Sequence, residues 1–190
     1  MKEIVAVMEE IFLVVILLAF VGGGLKKTNE KKKKMEEAVL ESDKAIETAE
    51  EYYDRGNIKY NLKKYKEAIL DYSKAIELNP EFDKAYHDRG ISKNYLLEYK
   101  EAIEDFDKTI ILNPKFVPAY YNRGNAKYKL NDFEGAMLDY SKTIILNPEF
   151  AAAYYNRGVV KYSLNNLDEA ISDFDRANKL DPEFENPIKN

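Results

Sequence analysis

The chain has no cysteine and a single histidine, His87. Without cysteine there is no disulfide, no thiol nucleophile and no cysteine-ligated metal. With one histidine, neither a His-based metal site nor a Ser/His/Asp constellation can be assembled within one chain. These absences argue against an enzyme and give no reason to expect a cofactor or a metal. An excess of one charge is also missing. The 29 Lys and Arg face 34 Asp and Glu, for a formal net charge of −5 with both signs interleaved. That balance makes no case for nucleic acid as a partner. Glycine and proline are few, 8 and 6 in 190 residues, and their placement is informative.

Gly56, Gly90, Gly124 and Gly158 are each 34 residues apart, as are Pro80, Pro114, Pro148 and Pro182. A fixed period of this size marks a solenoid built from one repeated unit. The clearest copy is Val117–Phe150, VPAYYNRGNAKYKLNDFEGAMLDYSKTIILNPEF. Within it, Tyr120, Gly124 and Tyr128 recur at helical spacing, which predicts a helix from about Pro118 to Leu130. Pro118 suits the first turn, and Asn131-Asp132 breaks the helix. Ala136, Met137, Tyr140, Ile144 and Leu146 predict a second helix from Phe133 that ends at Asn147-Pro148. The units are 49–82, 83–116, 117–150 and 151–184, with a tail over 185–190.

Several columns run through these units: Tyr52, Tyr86, Tyr120, Tyr154; the glycines; Ala68, Ala102, Ala136, Ala170; Tyr72, Phe106, Tyr140, Phe174; and the prolines, each followed by Phe82, Phe116, Phe150 or Phe184. Taken together they resemble the tetratricopeptide repeat. The resemblance implies an all-α fold, a right-handed solenoid of antiparallel helix pairs with a concave groove, and a non-catalytic scaffold that binds a peptide or protein segment. By the same resemblance the groove is lined by Tyr53, Asn57 and Tyr60; His87, Ile91 and Asn94; Tyr121, Asn125 and Tyr128; and Tyr155, Val159 and Tyr162. Asp54, Asp88, Asn122 and Asn156 lie at its edge. The family's Lys/Asn/Arg clamp for a terminal carboxylate is not reproduced, since Tyr53 stands where its groove lysine would. The alternative is a structural module whose solenoid edges drive self-association.

One departure from the common pattern carries charge. Arg55, Arg89, Arg123 and Arg157 precede the glycines, with Lys59, Lys93, Lys127 and Lys161 four residues on. Cations stacked on one helix face repel unless answered. Each arginine is therefore expected to pair with Asp71, Asp105, Asp139 or Asp173 of the second helix. In the last unit Ala177-Asn178-Lys179 replaces Thr143-Ile144-Ile145, as suits a terminal repeat with no follower.

Upstream, residues 1–27 hold the apolar stretch Ile11–Leu25, followed by Lys26, Lys27 and Lys31–Lys34. The stretch is expected to anchor the chain in a membrane. The downstream lysines place the repeats on the cytoplasmic side by the positive-inside rule. The alternative is a signal peptide cleaved on export. Residues 28–48 form a charged linker and a degenerate second helix. There, Met35–Glu47 aligns with Tyr65–Glu77 at an offset of 30 rather than 34. This helix is expected to fold back as a cap over the first repeat, unless it runs straight on into Tyr52.

Overall fold

Each Asx-Pro pair stops one helix and sets the chain up for the next. The computed structural model describes residues 48–188, together with Lys33, Lys34 and Glu37. The apolar stretch Ile11–Leu25 and, Glu37 excepted, the expected cap over Met35–Glu47 lie outside the described residues. Within them all regular structure is α-helical: α1 (Ala49–Asn61), α2 (Tyr65–Leu78), α3 (Asp83–Tyr95), α4 (Tyr99–Leu112), α5 (Val117–Lys129), α6 (Phe133–Leu146), α7 (Ala151–Ser163) and α8 (Leu167–Leu180). Each helix packs chiefly on its antiparallel partner and on the next helix in sequence. The structure is thus a solenoid with α1, α3, α5 and α7 side by side.

The punctuation has a local cause. Asn79, Asn113, Asn147 and Asp181 are held extended, at φ of −134°, −137°, −139° and −146°, because a following proline forbids the helical conformation. Each side-chain oxygen then accepts the N–H two residues on, at 3.1, 3.3, 3.2 and 3.0 Å, which closes an Asx turn across the proline. The turn inside each pair needs one left-handed residue: Lys63, Leu97, Asn131 and Asn165, at φ 61–64°. Asparagine tolerates this backbone, whereas Leu97 sits there at a cost of about 1–2 kcal/mol.

Thr48 opens α1 in an extended conformation. It forms a capping box: its hydroxyl accepts from the Glu51 N–H and the Glu51 carboxylate accepts from the Thr48 N–H. A helix running unbroken from upstream into Tyr52 is excluded by this cap. The Thr-x-x-Glu spacing that encodes it is present in the sequence.

The pairs close on one another at the small residues. Ala68, Ala102, Ala136 and Ala170 are wholly buried, and Tyr72, Phe106, Tyr140 and Phe174 fill the space between each pair. Thr109 and Thr143 are also fully buried. Each hydroxyl bonds a carbonyl four residues back, which hides polar side chains inside an apolar seam.

The expected Arg–Asp pairing is present in all four repeats and is bidentate. Nε and Nη2 of Arg55, Arg89, Arg123 and Arg157 reach Asp71, Asp105, Asp139 and Asp173 at 2.5–2.9 Å. The lysine one turn on reaches the same carboxylate at 2.7–2.9 Å. Each aspartate, 3–5% exposed, is thus clamped between two cations, which is what permits its burial. Nη1 of Arg89, Arg123 and Arg157 then reaches back to the preceding second helix, at Ser73, Asp107 and Ser141. Each of these guanidiniums stitches two repeats together while lying 5.5–5.7 Å from the ring centroid of the tyrosine three residues before it. Burial works against the charge on Arg123, but Asp139 and Asp107 more than offset it and hold the group above its usual range.

Candidate peptide groove

The twelve residues expected to line the groove lie three to a helix in α1, α3, α5 and α7, most of them half-buried, with His87 buried and Tyr162 exposed. Tyr53, His87, Tyr121 and Tyr155 form the first row. Each ring is wedged against the phenylalanine that ends its repeat, with centroids 4.8, 4.9, 4.8 and 5.2 Å from Phe82, Phe116, Phe150 and Phe184. This row therefore seals a seam against the end of its own repeat, and its rings are held in fixed orientations.

Hydrogen bonds run from this row to the next repeat, always 35 residues on. The Tyr53 hydroxyl donates to Asp88 Oδ2 at 2.6 Å. His87 Nε2 lies 3.1 Å from Asn122 Nδ2, and Asn156 Nδ2 donates to the Tyr121 hydroxyl at 3.1 Å. His87 Nδ1 is 2.7 Å from Asp88 Oδ1. With Nδ1–H donating to that carboxylate, Nε2 is left to accept from Asn122. His87 is thus buried and bonded at both nitrogens, rather than a free contact residue. Burial and the neighbouring Asp88 push the Tyr53 hydroxyl well above its ordinary pKa.

The second row is Asn57, Ile91, Asn125 and Val159. Asn57 Oδ1 accepts from the buried Tyr72 hydroxyl at 2.8 Å. Asn125 Oδ1 accepts from Tyr140 at 2.8 Å and from Asn156 Nδ2 at 3.0 Å. Ile91 packs against the buried cluster of Ala102, Phe106 and Ala126.

The third row differs most between repeats. Tyr60 joins Tyr65 and Tyr95 in an aromatic cluster, with Tyr65 and Tyr95 stacked at 4.6 Å and 6°. Burial and a hydrogen bond with Tyr95 raise the pKa of Tyr60. Asn94 keeps a buried amide oxygen without a partner. Tyr128 packs on Phe133, and Tyr162 is exposed. Sequence reasoning left Asp88, Asn122 and Asn156 at the edge, yet they are the cross-repeat partners. It passed over Tyr65 and Tyr95. At the first-repeat end, burial and then Glu50 and Glu51 raise the pKa of Asp54. Among the described residues no group of acidic and histidine side chains is arranged to hold a metal ion, and no helix is long and apolar enough to cross a membrane.

A family model described as "Tetratricopeptide repeat" matches residues 49–82 and 151–184, and one described as "TPR repeat" matches 124–165. No curated protein matches the sequence. Among solved structures, a crystal structure of MamA superposes with a TM-score of 0.77 at 22% identity, over 86% of this chain and 98% of that one. YrrB, described as a TPR protein with an unusual peptide-binding site, gives 0.70 at 26% identity over 83% and 81%. The first TPR of Spaghetti (RPAP3), bound to the HSP90 peptide SRMEEVD, gives 0.61 at 26% over 62% and 94%. With its 34-residue columns, its stacked antiparallel helix pairs and these matches, the chain belongs to the tetratricopeptide repeat family.

Proposed function

We propose that the chain is a non-catalytic scaffold that takes an extended peptide or protein segment along the face of α1, α3, α5 and α7. The observation that carries this reading is a row of rigid aromatic surface beside side-chain groups that still have bonds to give. The Tyr121 hydroxyl accepts from Asn156 and keeps its own hydrogen to donate. Asn125 has its oxygen doubly occupied, and its Nδ2 bonds no described protein group. Tyrosine offers contact area at little entropic cost, and amides bond a peptide main chain. Peptide binding in the relatives YrrB and RPAP3 is consistent with this use of the fold. Where a carboxylate clamp would place a lysine, Tyr53 is committed to the acid Asp88. Acidic peptide ends such as EEVD are therefore poor candidates.

The test is capture of peptides from a displayed random library by the full chain in detergent. The Tyr121→Ala/Tyr128→Ala double variant is expected to bind the selected peptides at least about tenfold more weakly, or about 1.4 kcal/mol. Unchanged affinity in that variant would remove the groove from consideration.

We also propose that the apolar stretch Ile11–Leu25 tethers the scaffold to a membrane with the repeats on the cytoplasmic side. Its support is the abrupt change from apolar residues to lysines. Protease added to intact cells is expected to leave the repeats whole, and to digest them only after lysis. Digestion from outside rules this orientation out.

A further inference from the structure

Two groove columns vary together. The second helices carry Tyr72, Phe106, Tyr140 and Phe174, and the first helices carry Asn57, Ile91, Asn125 and Val159. Wherever the buried ring is tyrosine, the groove residue is asparagine; wherever it is phenylalanine, the groove residue is aliphatic. The structure supplies the reason. Tyr72 and Tyr140 are buried, and their hydroxyls donate to Asn57 and Asn125 at 2.8 Å in both repeats. A buried hydroxyl needs a partner, and the asparagine supplies it. Phe106 and Phe174 ask for none, and Ile91 and Val159 offer none.

The hydrogen bond also fixes which way the amide points. An asparagine side chain has one accepting and one donating end. A hydroxyl donating from below holds the oxygen inward, so the two N–H donors face away from the buried ring. Asn125 is fixed twice over, because Asn156 Nδ2 donates to the same oxygen at 3.0 Å.

On the reading that the groove holds a peptide, we infer that the first and third repeats bind the main chain of that segment while the second and fourth bind its side chains. Asn57 and Asn125 donate to carbonyl oxygens of the segment. Ile91 and Val159 receive apolar side chains. Tyr72 and Tyr140 touch no ligand and act as positioning residues. The groove therefore reads its ligand in steps of two repeats rather than one. With neighbouring first helices roughly 10 Å apart, two repeats span about 20 Å, which an extended chain rising about 3.3 Å per residue covers in about six residues. The fitting ligand is an extended segment with an apolar side chain midway between two anchored carbonyls. A second apolar side chain lies about three residues beyond the one anchored on Asn125.

The repeats supply their own controls. Asn125→Val with Tyr140→Phe rewrites the third repeat as the fourth already stands, so the paired variant keeps a packing the fold uses elsewhere and buries no orphan hydroxyl. Both proteins, full length in detergent, are used to select from a displayed library of random twelve-residue peptides. The best wild-type peptide is synthesised with a fluorophore, and its affinity is measured by polarisation. We expect the paired variant to bind this peptide about tenfold more weakly with an unchanged thermal midpoint. Tyr140→Phe alone should give a smaller loss, because the amide stays but its orientation is held only by Asn156. The reverse pair, Ile91→Asn with Phe106→Tyr, should add an anchor and replace the central apolar preference among its selected peptides. Wild-type peptides that bind both paired variants with unchanged affinity and motif overturn the two-repeat reading and leave the groove intact. A library giving no enrichment over protein-free beads overturns the groove itself, and this inference with it.

Discussion

Asp105→Ala is expected to cost about 3–5 kcal/mol of folding stability, the usual penalty for leaving buried charge unanswered, and Asp139→Ala distinctly less. The two aspartates hold equivalent places. Each is 3% exposed and each is clamped by an arginine and a lysine. What differs is the third group. Without Asp105, Arg89 keeps the neutral Ser73 hydroxyl, at 3.0 Å, and the face of Tyr86, but no carboxylate. Without Asp139, Arg123 still has the carboxylate of Asp107, at 2.5 Å. A domain of this size is stable by roughly 5–15 kcal/mol, so the first substitution removes a large share of the total. The measurement is urea unfolding at pH 7 followed by helical circular dichroism. Equal costs for the two variants would mean that Asp107 plays no part in holding Arg123. Costs below about 1 kcal/mol for both would mean the clamps behave as exposed surface pairs.

These clamps show what a sequence of this kind makes legible. A period of 34 residues announces columns, and elementary charge balance requires each arginine column to face an acid, so Arg123 to Asp139 could be read in advance. The lysines joining the same carboxylate could not, because nothing in the spacing separates one acceptor shared by two cations from two acceptors. The groove was legible to the same depth. The resemblance put Tyr53, Asn57, Tyr121 and Asn125 on the first helices of their repeats, and they lie in those helices. What each is bonded to was hidden. The partners Asp88, Asn122 and Asn156 stand one repeat and one residue further on, and periodicity shows that columns exist without showing which columns touch. Burial of Thr109 and Thr143 was hidden for another reason. A polar residue reads as surface until its hydroxyl is seen to bond a carbonyl of its own helix.

His87 shows how far local identity misleads. Alone of its kind and standing in the groove row, it invites a role of its own. The structure gives it two hydrogen bonds and ring contacts with two phenylalanines, Phe106 and Phe116. It does for the second and third repeats what Tyr53 does for the first and second. On the proposed function, the rings that a ligand would meet are the ones whose bonds run from one repeat to the next.

Gly90→Val tests that rigidity, and is expected to cost about 3 kcal/mol, at the upper end of the usual range for overpacking. A Cβ at Gly90 would lie 2.7 Å from Phe106 Cε1 and 3.1 Å from both Cδ1 and Cζ. The ring is fully buried and cannot step aside into solvent. The same ring touches His87, at a centroid distance of 5.8 Å, so displacement of Phe106 disturbs the residue that bonds both Asp88 and Asn122. The better helix propensity of valine over glycine returns only a few tenths of a kcal/mol. The clash, not the backbone, therefore sets the sign. If so, Phe106→Leu in the same chain makes room and recovers at least half of the loss. The coupling is then about 1–2 kcal/mol in a double-mutant cycle read by urea unfolding. Simple addition of the two single costs would mean that the glycine is there for some reason other than the ring it faces.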